Sequence, residues 1–100
     1  MDLVIWTNSA CSKSRAAEQL LSDRGIEFTA RSYLEDPPSR QELQHVMALL
    51  EHRGSIARPG VTGDLLAQLT ADPSLIERPI AIRGDRAVVA RPPERVLDLL

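Results

Sequence analysis

The sequence is poor in several features that would direct it to particular classes of function. Its 100 residues include one cysteine and three aromatic residues, and the formal net charge at pH 7 is only −2. A lone cysteine cannot form an intramolecular disulfide, so redox chemistry would need a second thiol from another molecule. Few aromatics and no basic excess give no surface for nucleic acid or an anionic membrane. The composition therefore favours a small-molecule or protein partner.

Long apolar runs are also missing. No stretch approaches the length that crosses a bilayer, and strand-like sequence follows Met1-Asp2 without the apolar region of a signal peptide. We therefore expect a cytoplasmic protein. One hundred residues suffice for one hydrophobic core. We predict a single domain over residues 1–100 and expect it to be a monomer.

The first third of the chain has the apolar pattern of a strand, a helix and a second strand. Residues 3–6 form a short run typical of a buried strand, and 26–32 alternate between apolar and polar positions as in a half-buried strand. Gly25 marks the end of the helix between them. The helix has an apolar stripe of Ala16, Leu20 and Leu21.

The remaining chain continues with two helices, a hairpin and a last helix. Ser39 and Glu42 have the spacing of a capping box and predict a helix start. A short leucine-rich helix follows a loop that contains several glycines. Apolar runs on both sides of residues 83–86 predict an antiparallel hairpin, and Pro92-Pro93-Glu94 opens the final helix. The order β-α-β-α-α-β-β-α predicts an α/β fold with a mixed sheet of about four strands flanked by helices.

Cys11 is the candidate nucleophile because it lies between the first strand and a helix that begins near Lys13. Unpaired N–H groups and the helix dipole at such a position favour a thiolate and can hold an oxyanion. Lys13, the only lysine, adds positive charge that lowers the thiol pKa. The alternative is a buried, inert thiol. Ser12 and Ser14 lie in the first turn, where their hydroxyls could hold the anion or simply cap the helix.

Four separated motifs together resemble one family. The order of the predicted strands and helices and the position of Cys11 at the end of the first strand look like the thioredoxin-like fold. More specifically, the four motifs resemble the glutaredoxin-coupled arsenate reductases, the ArsC family. The motifs cover most of the chain: Asn8 to Arg15, Tyr33 to Leu43, Arg78 to Ile80, and Arg91 to Leu100.

The resemblance implies a reaction and its partners. Cys11 would attack arsenate, while Arg78 and Arg91 would bind the oxyanion and stabilise the covalent adduct. Glutathione as external reductant and glutaredoxin would complete the reduction, and no bound cofactor is expected. Arginine suits this role because its planar fork matches a tetrahedral oxyanion and stays charged. Independently, the two arginines flank the predicted hairpin, so antiparallel pairing would bring them close together.

Further site residues follow from the same resemblance, with some departures from the family. Independently of the resemblance, Arg15 lies in the first turn after Cys11 and is a candidate anion ligand together with Ser12 and Ser14. Arg58 is the first candidate for the family's third arginine and Arg53 the second, because this region is shorter here. Pro79 lies where thioredoxin-like proteins have a cis-proline. The family's histidine ahead of Asn8 is replaced by Thr7, which moves the activation of Cys11 towards the helix terminus.

Two alternative functions remain open at this stage. A lone cysteine at a helix start also suits a glutathione-dependent thiol-disulfide exchanger. A regulator similar to the Spx proteins, which bind RNA polymerase, would share the fold, although Ser14 stands where those proteins usually have a second cysteine. His45 and His52 are seven residues apart, but no further ligand completes a set, so we expect no metal.

Overall fold

The structure, a computed structural model, describes residues 2–51 and 53–100. Within these residues, strands and helices alternate in an α/β arrangement that confirms the predicted class. The strands and α-helices are β1 Leu3–Thr7, α1 Ser12–Asp23, β2 Thr29–Ser32, α2 Arg40–Leu50, α3 Leu65–Ala71, β3 Ile80–Arg83 and β4 Arg86–Val89. Two 3₁₀ segments are added at Pro73–Leu75 and Pro93–Leu99.

The strands form one mixed sheet in the order β2-β1-β3-β4. β1 runs parallel to β2, with Thr7 opposite Ser32. It runs antiparallel to β3, with Trp6 opposite Ile80. β3 and β4 form the predicted hairpin, in which Ile80 is opposite Val89. The carboxyl end of β1 therefore lies beside the start of β3 and the end of β4.

Helix α1 begins directly after Cys11, and its buried face differs slightly from the prediction. Ala16, predicted to face the core, is exposed, and Leu20 is only partly buried. The fully buried positions follow helical spacing on one face and are Ser14, Ala17 and Leu21. The helix ends at Asp23, just ahead of the predicted stop at Gly25, whose φ of +68° lies in the left-handed region that favours glycine.

Helix α2 begins at the predicted capping box. The Glu42 N–H donates to the Ser39 hydroxyl at 3.1 Å, and the Ser39 N–H donates to the Glu42 carboxylate at 3.0 Å. Both bonds satisfy backbone donors that the first helical turn leaves free. The helix buries Leu43, Val46 and Leu50.

Strand β2 is shorter than predicted. The alternating pattern indicated a strand over 26–32, but only Thr29–Ser32 pairs with β1. Ile26 and Phe28 instead precede the strand and pack against the apolar cluster beside α1. Ala30 is exposed because β2 lies at the edge of the sheet. Apolar side chains can thus reach the core from a segment without strand pairing.

The final helix was predicted as an α-helix and is a 3₁₀ helix over Pro93–Leu99. Its backbone bonds span three residues, as in the bond from Arg95 N–H to Pro92 C=O at 3.0 Å. A three-residue repeat aligns Val96 and Leu99, and both are buried. Among the described residues, no helix combines the length and apolar character that crossing a membrane requires.

Two apolar clusters cover the two faces of the sheet. Successive β1 side chains point to opposite faces, so Ile5 packs towards α1 and the final 3₁₀ helix. Trp6 packs towards α2 and α3. These layers fix the carboxyl end of β1, where the chain turns into α1.

Candidate active site

The sheet brings the candidate nucleophile and two candidate arginines to one edge. Arg78 precedes β3 and Arg91 follows β4, beside the end of β1. The Arg91 Nη2 atom donates towards the Cys11 Sγ at 3.7 Å. The Arg91 Nε atom donates to the Arg78 carbonyl at 2.7 Å. The hairpin thus brings the Arg91 guanidinium to the Arg78 backbone, whereas the predicted closeness of the two guanidinium groups stays a prediction.

The loop that holds Cys11 is fixed by Asn8 and Ser14. The Cys11 N–H donates to the Asn8 carbonyl at 2.9 Å. The Ala10 N–H donates to the Asn8 side-chain oxygen at 3.0 Å. Fully buried Ser14 accepts a bond from the Asn8 N–H at 3.2 Å through its hydroxyl. The loop conformation therefore depends on hydrogen bonds at both ends, which keep Cys11 at the N-cap of α1.

Partial burial of the Cys11 thiol opposes its ionisation and is the largest single influence on its pKa. Hydrogen bonds to the sulfur from the backbone N–H groups of Ser14 and Lys13 act in the opposite direction. The Arg78 guanidinium and the Ser14 hydroxyl add to them. Together they lower the pKa of Cys11 from 9.0 to about 7. Lys13 thus contributes through its backbone N–H.

Arg78 has an unused donor beside the thiol. Its Nε atom is buried and has no hydrogen-bond partner within the described part of the chain. A buried guanidinium nitrogen without a partner is suited to an anionic ligand, which would satisfy it. The Arg78–Pro79 peptide bond is cis, as the resemblance implies, and the Arg91–Pro92 bond is cis as well.

Glu77 is a component of the site that the sequence analysis missed. Its side chain is 10% exposed, and its Oε1 atom lies 3.6 Å from the Arg91 Nε. The same oxygen accepts from the Arg78 N–H at 3.2 Å. This carboxylate therefore holds Arg91 in the orientation that points Nη2 to the thiol. An acidic residue directly ahead of the Arg-Pro motif was the signal that could have identified it.

The remaining predicted anion ligands lie further from the thiol or face solvent. The Arg15 guanidinium donates to the Ser9 carbonyl at 2.7 Å and so supports the loop. Ser12 is exposed in the first turn of α1. Arg58 is also exposed, and its backbone N–H donates to the Leu75 carbonyl at 2.9 Å. Its charge nevertheless acts on the buried phenol of Tyr33, close to Cys11.

Thr7 replaces the family's histidine and faces α1. Its hydroxyl donates to the Glu18 carboxylate at 2.9 Å. Of the two histidines, His45 is exposed on α2 and His52 lies outside the described residues. Residues 2–51 and 53–100 contain no group of three or more histidine, cysteine or acidic side chains that could hold a metal ion.

A four-stranded mixed sheet with a cysteine at the junction of β1 and α1 defines a thioredoxin-like protein. The sequence model of the ArsC family matches residues 6–99, and the chain belongs to this family. It is 35% identical over 111 aligned positions to an arsenate reductase of Neisseria meningitidis serogroup A, with 95% of each chain covered. It is 34% identical to an arsenate reductase of Haemophilus influenzae, with both chains covered completely.

Solved structures agree with this assignment. The arsenate reductase from Vibrio cholerae superposes with a TM-score of 0.88 at 34% sequence identity. The superposition covers 100% of this chain and 98% of the other. The resemblance predicted from the four motifs and the thioredoxin-like fold are both confirmed.

Proposed function

We propose that this protein is a glutaredoxin-coupled arsenate reductase in which Cys11 attacks the arsenic atom. The main support is the position of the Arg91 guanidinium, 3.7 Å from the Cys11 sulfur and beside Arg78. An oxyanion needs fixed positive charge and several donors at the nucleophile, and two arginines supply both. Relatives that match over nearly their whole length are named arsenate reductases.

The reaction begins with replacement of one arsenate oxygen. The Cys11 thiolate forms a sulfur–arsenic bond, and the displaced oxygen leaves as water after taking up protons. Arg78 and Arg91 offset the negative charge of the remaining oxygens during this step. The Ser14 and Lys13 N–H groups, which favour the thiolate, prepare the nucleophile near neutral pH.

Reduction of As(V) to As(III) takes two electrons, which two thiols supply by forming one disulfide. The chain has a single cysteine, so an external thiol must complete the pair. Glutathione attack on the adduct would release arsenite and leave a mixed disulfide between Cys11 and glutathione. Glutaredoxin would then reduce this disulfide and restore the thiol. The proposal requires no cofactor held by the chain.

The test is arsenite production by the purified protein with arsenate, glutathione and glutaredoxin. Wild-type protein should turn over, and Cys11→Ser should lose all activity because a hydroxyl cannot form the disulfide that supplies the two electrons. An unchanged melting temperature of Cys11→Ser would show that only the chemistry is lost. The proposal fails if the wild type makes no arsenite, or if Cys11→Ser makes as much.

A thiol-disulfide exchanger is the second candidate. It is favoured by the thiol pKa of about 7, since exchange is fastest for a thiol whose pKa is near the ambient pH. Such an enzyme would reduce a glutathionylated peptide and would be little affected by Arg91→Ala. Arsenate reduction would instead depend strongly on Arg91. Measuring the reduction of arsenate and of the glutathionylated peptide by the wild type and by Arg91→Ala separates the two candidates.

The Spx-like regulator is the other alternative function. The arginines at the thiol favour anion chemistry over it.

A further inference from the structure

The Tyr33 side chain carries a polar hydroxyl group in the core near the candidate active site. The side chain is fully buried, and its hydroxyl has no hydrogen-bond partner among residues 2–51 and 53–100. An unsatisfied buried hydroxyl has a free-energy cost, so most native structures avoid it. The ring belongs to the apolar cluster on the α2 side of the sheet, where a phenylalanine would be buried equally well. The hydroxyl therefore needs an explanation other than packing.

The sheet register places Tyr33 at the same edge of the sheet as the loop of the nucleophile. Thr7 pairs with Ser32, so Tyr33 follows β2 at the same edge at which Asn8 follows β1. Asn8 in turn fixes the loop that holds Cys11. The Asn8 side chain is close enough to influence the phenol, although the geometry is not that of a hydrogen bond.

The electrostatics of the phenol are set by the same groups that surround the thiol. Burial raises the pKa of Tyr33, the Arg78 charge opposes this rise, and Cys11 reinforces it. The phenol therefore keeps its proton over the range in which Cys11 ionises. It remains a hydrogen-bond donor while the thiolate is present.

We propose that the Tyr33 hydroxyl is a donor to the oxyanion at Cys11, acting together with the buried Arg78 Nε. Both atoms lack partners within the described residues and lie at the same end of the sheet. A tetrahedral oxyanion offers several acceptor oxygens, so one ligand can satisfy both. This inference rests on the proposed arsenate chemistry and adds a neutral donor to its arginines.

The variant Tyr33→Phe removes only the hydroxyl. If that atom serves the ligand, the folded protein loses nothing and its melting temperature should be unchanged or higher. Affinity for an oxyanion should fall about 10- to 100-fold, as for loss of a hydrogen bond to a charged group. Alkylation of Cys11 by neutral iodoacetamide should keep its rate and pH midpoint, because the thiolate is stabilised by other groups.

The experiment titrates unreactive sulfate, and then arsenate, into wild-type protein and Tyr33→Phe by calorimetry. Thr70→Val is the matched control, because it deletes an exposed hydroxyl on α3 that only bonds to the Leu66 carbonyl. Weaker binding in Tyr33→Phe alone would support the proposal. Equal binding, or a lower melting temperature that accounts for the loss, would overturn it and leave arsenate reduction standing. If the wild type binds neither anion, both proposals fail.

A second readout follows the hydroxyl directly. Tyr33 is the only tyrosine, so fluorotyrosine incorporation gives one fluorine signal. Sulfate should shift this signal in the wild type and leave it in place in Arg78→Ala, whose anion site is weakened. A signal that ignores saturating sulfate in the wild type would contradict contact between the phenol and the anion.

Discussion

Arg31 lies on β2 and Arg78 lies just ahead of β3, and the two differ in how fully their guanidinium groups are bonded. Arg31 donates to the carbonyls of Asp36 and Pro37 and to the Glu42 carboxylate, and it covers the Trp6 ring at 5.8 Å. The Arg78 Nε has no partner within the described residues. A saturated guanidinium stabilises the fold, whereas one with a free buried donor is arranged for something that binds later.

The two regions also place their charges for different purposes. Asp36 and Glu42 together compensate Arg31, so this group has little capacity left for another anion. At the active site, Glu77 is the carboxylate that contacts Arg91, and the Arg91 Nη2 is directed to the Cys11 sulfur. Positive charge therefore remains in excess where the nucleophile lies. Substitutions that affect activity and stability separately can test this contrast.

The largest expected contrast is between Arg78→Ala and Arg31→Ala. Arg78→Ala should reduce arsenate turnover about 10²- to 10³-fold, as for other losses of a transition-state donor, with little change in stability. Arg31→Ala should lower the free energy of unfolding by about 1–2 kcal/mol, because it removes charged hydrogen bonds and the contact with Trp6, and should leave turnover nearly unchanged. Steady-state kinetics and urea unfolding measure the two effects. Loss of stability with normal turnover in Arg78→Ala, or loss of turnover with normal stability in Arg31→Ala, would contradict the comparison.

The pH dependence of Cys11 gives the next largest effect. Because its pKa is lowered to about 7, the thiolate fraction should be half-maximal there and fall tenfold per pH unit below it. The alkylation rate at pH 5 should thus be about 100-fold below its plateau. Arg78→Ala should move the midpoint upward, whereas Arg31→Ala should not. A wild-type midpoint near 9.0 would show that the surrounding donors do not stabilise the thiolate.

Local signals predicted much of this molecule, and long-range contacts explain what was missed. The capping box at Ser39 depends on neighbouring residues, and it formed as expected. The sequence assigned no role to Glu77, and Tyr33 was named only as the first residue of one of the four motifs. Their surroundings depend on Arg91, 14 residues after Glu77, and on the pairing of β1 with β2. A single sequence shows neither the contact between Glu77 and Arg91 nor the strand pairing that positions Tyr33.

Glu77 tests whether the orientation of Arg91 matters. Glu77→Ala removes the carboxylate at 3.6 Å from Arg91 Nε and should raise the KM for arsenate about tenfold, with a smaller change in kcat. Glu77→Gln should recover part of the loss, because its amide oxygen can still accept from the Arg78 N–H and lie beside the Arg91 Nε. Equal defects in Ala and Gln variants would mean that the charge matters rather than the positioning. Unfolding in urea checks that both variants remain folded.

Glu42 gives the matching test for Arg31, whose guanidinium group is fully bonded. The Arg31 side chain is the main cause that lowers the pKa of Glu42 from 4.5 to about 2. Stability from this pair is present above pH 4.5 and is lost as the pH falls towards 2. Since Glu42 is largely exposed, screening limits the effect to about 1 kcal/mol, or about five-fold in the folding equilibrium. Glu42→Gln keeps the capping box and should lose less stability in acid than the wild type. If Glu42→Gln and the wild type lose equal stability in acid, the Arg31–Glu42 ion pair does not stabilise the fold and does not support the comparison.

The smallest expected effect distinguishes the two candidates for a third arginine. The Arg58 charge acts on Tyr33 near the site, whereas the Arg53 backbone carbonyl accepts from Val89 N–H at 3.2 Å, which anchors its segment to β4. Arg58 is exposed, so solvent screens its attraction for an anion. Arg58→Ala should therefore weaken sulfate binding about three-fold, more at low salt, and Arg53→Ala should leave it unchanged. A loss as large as that of Arg78→Ala would instead indicate that the Arg58 side chain contacts the bound anion directly.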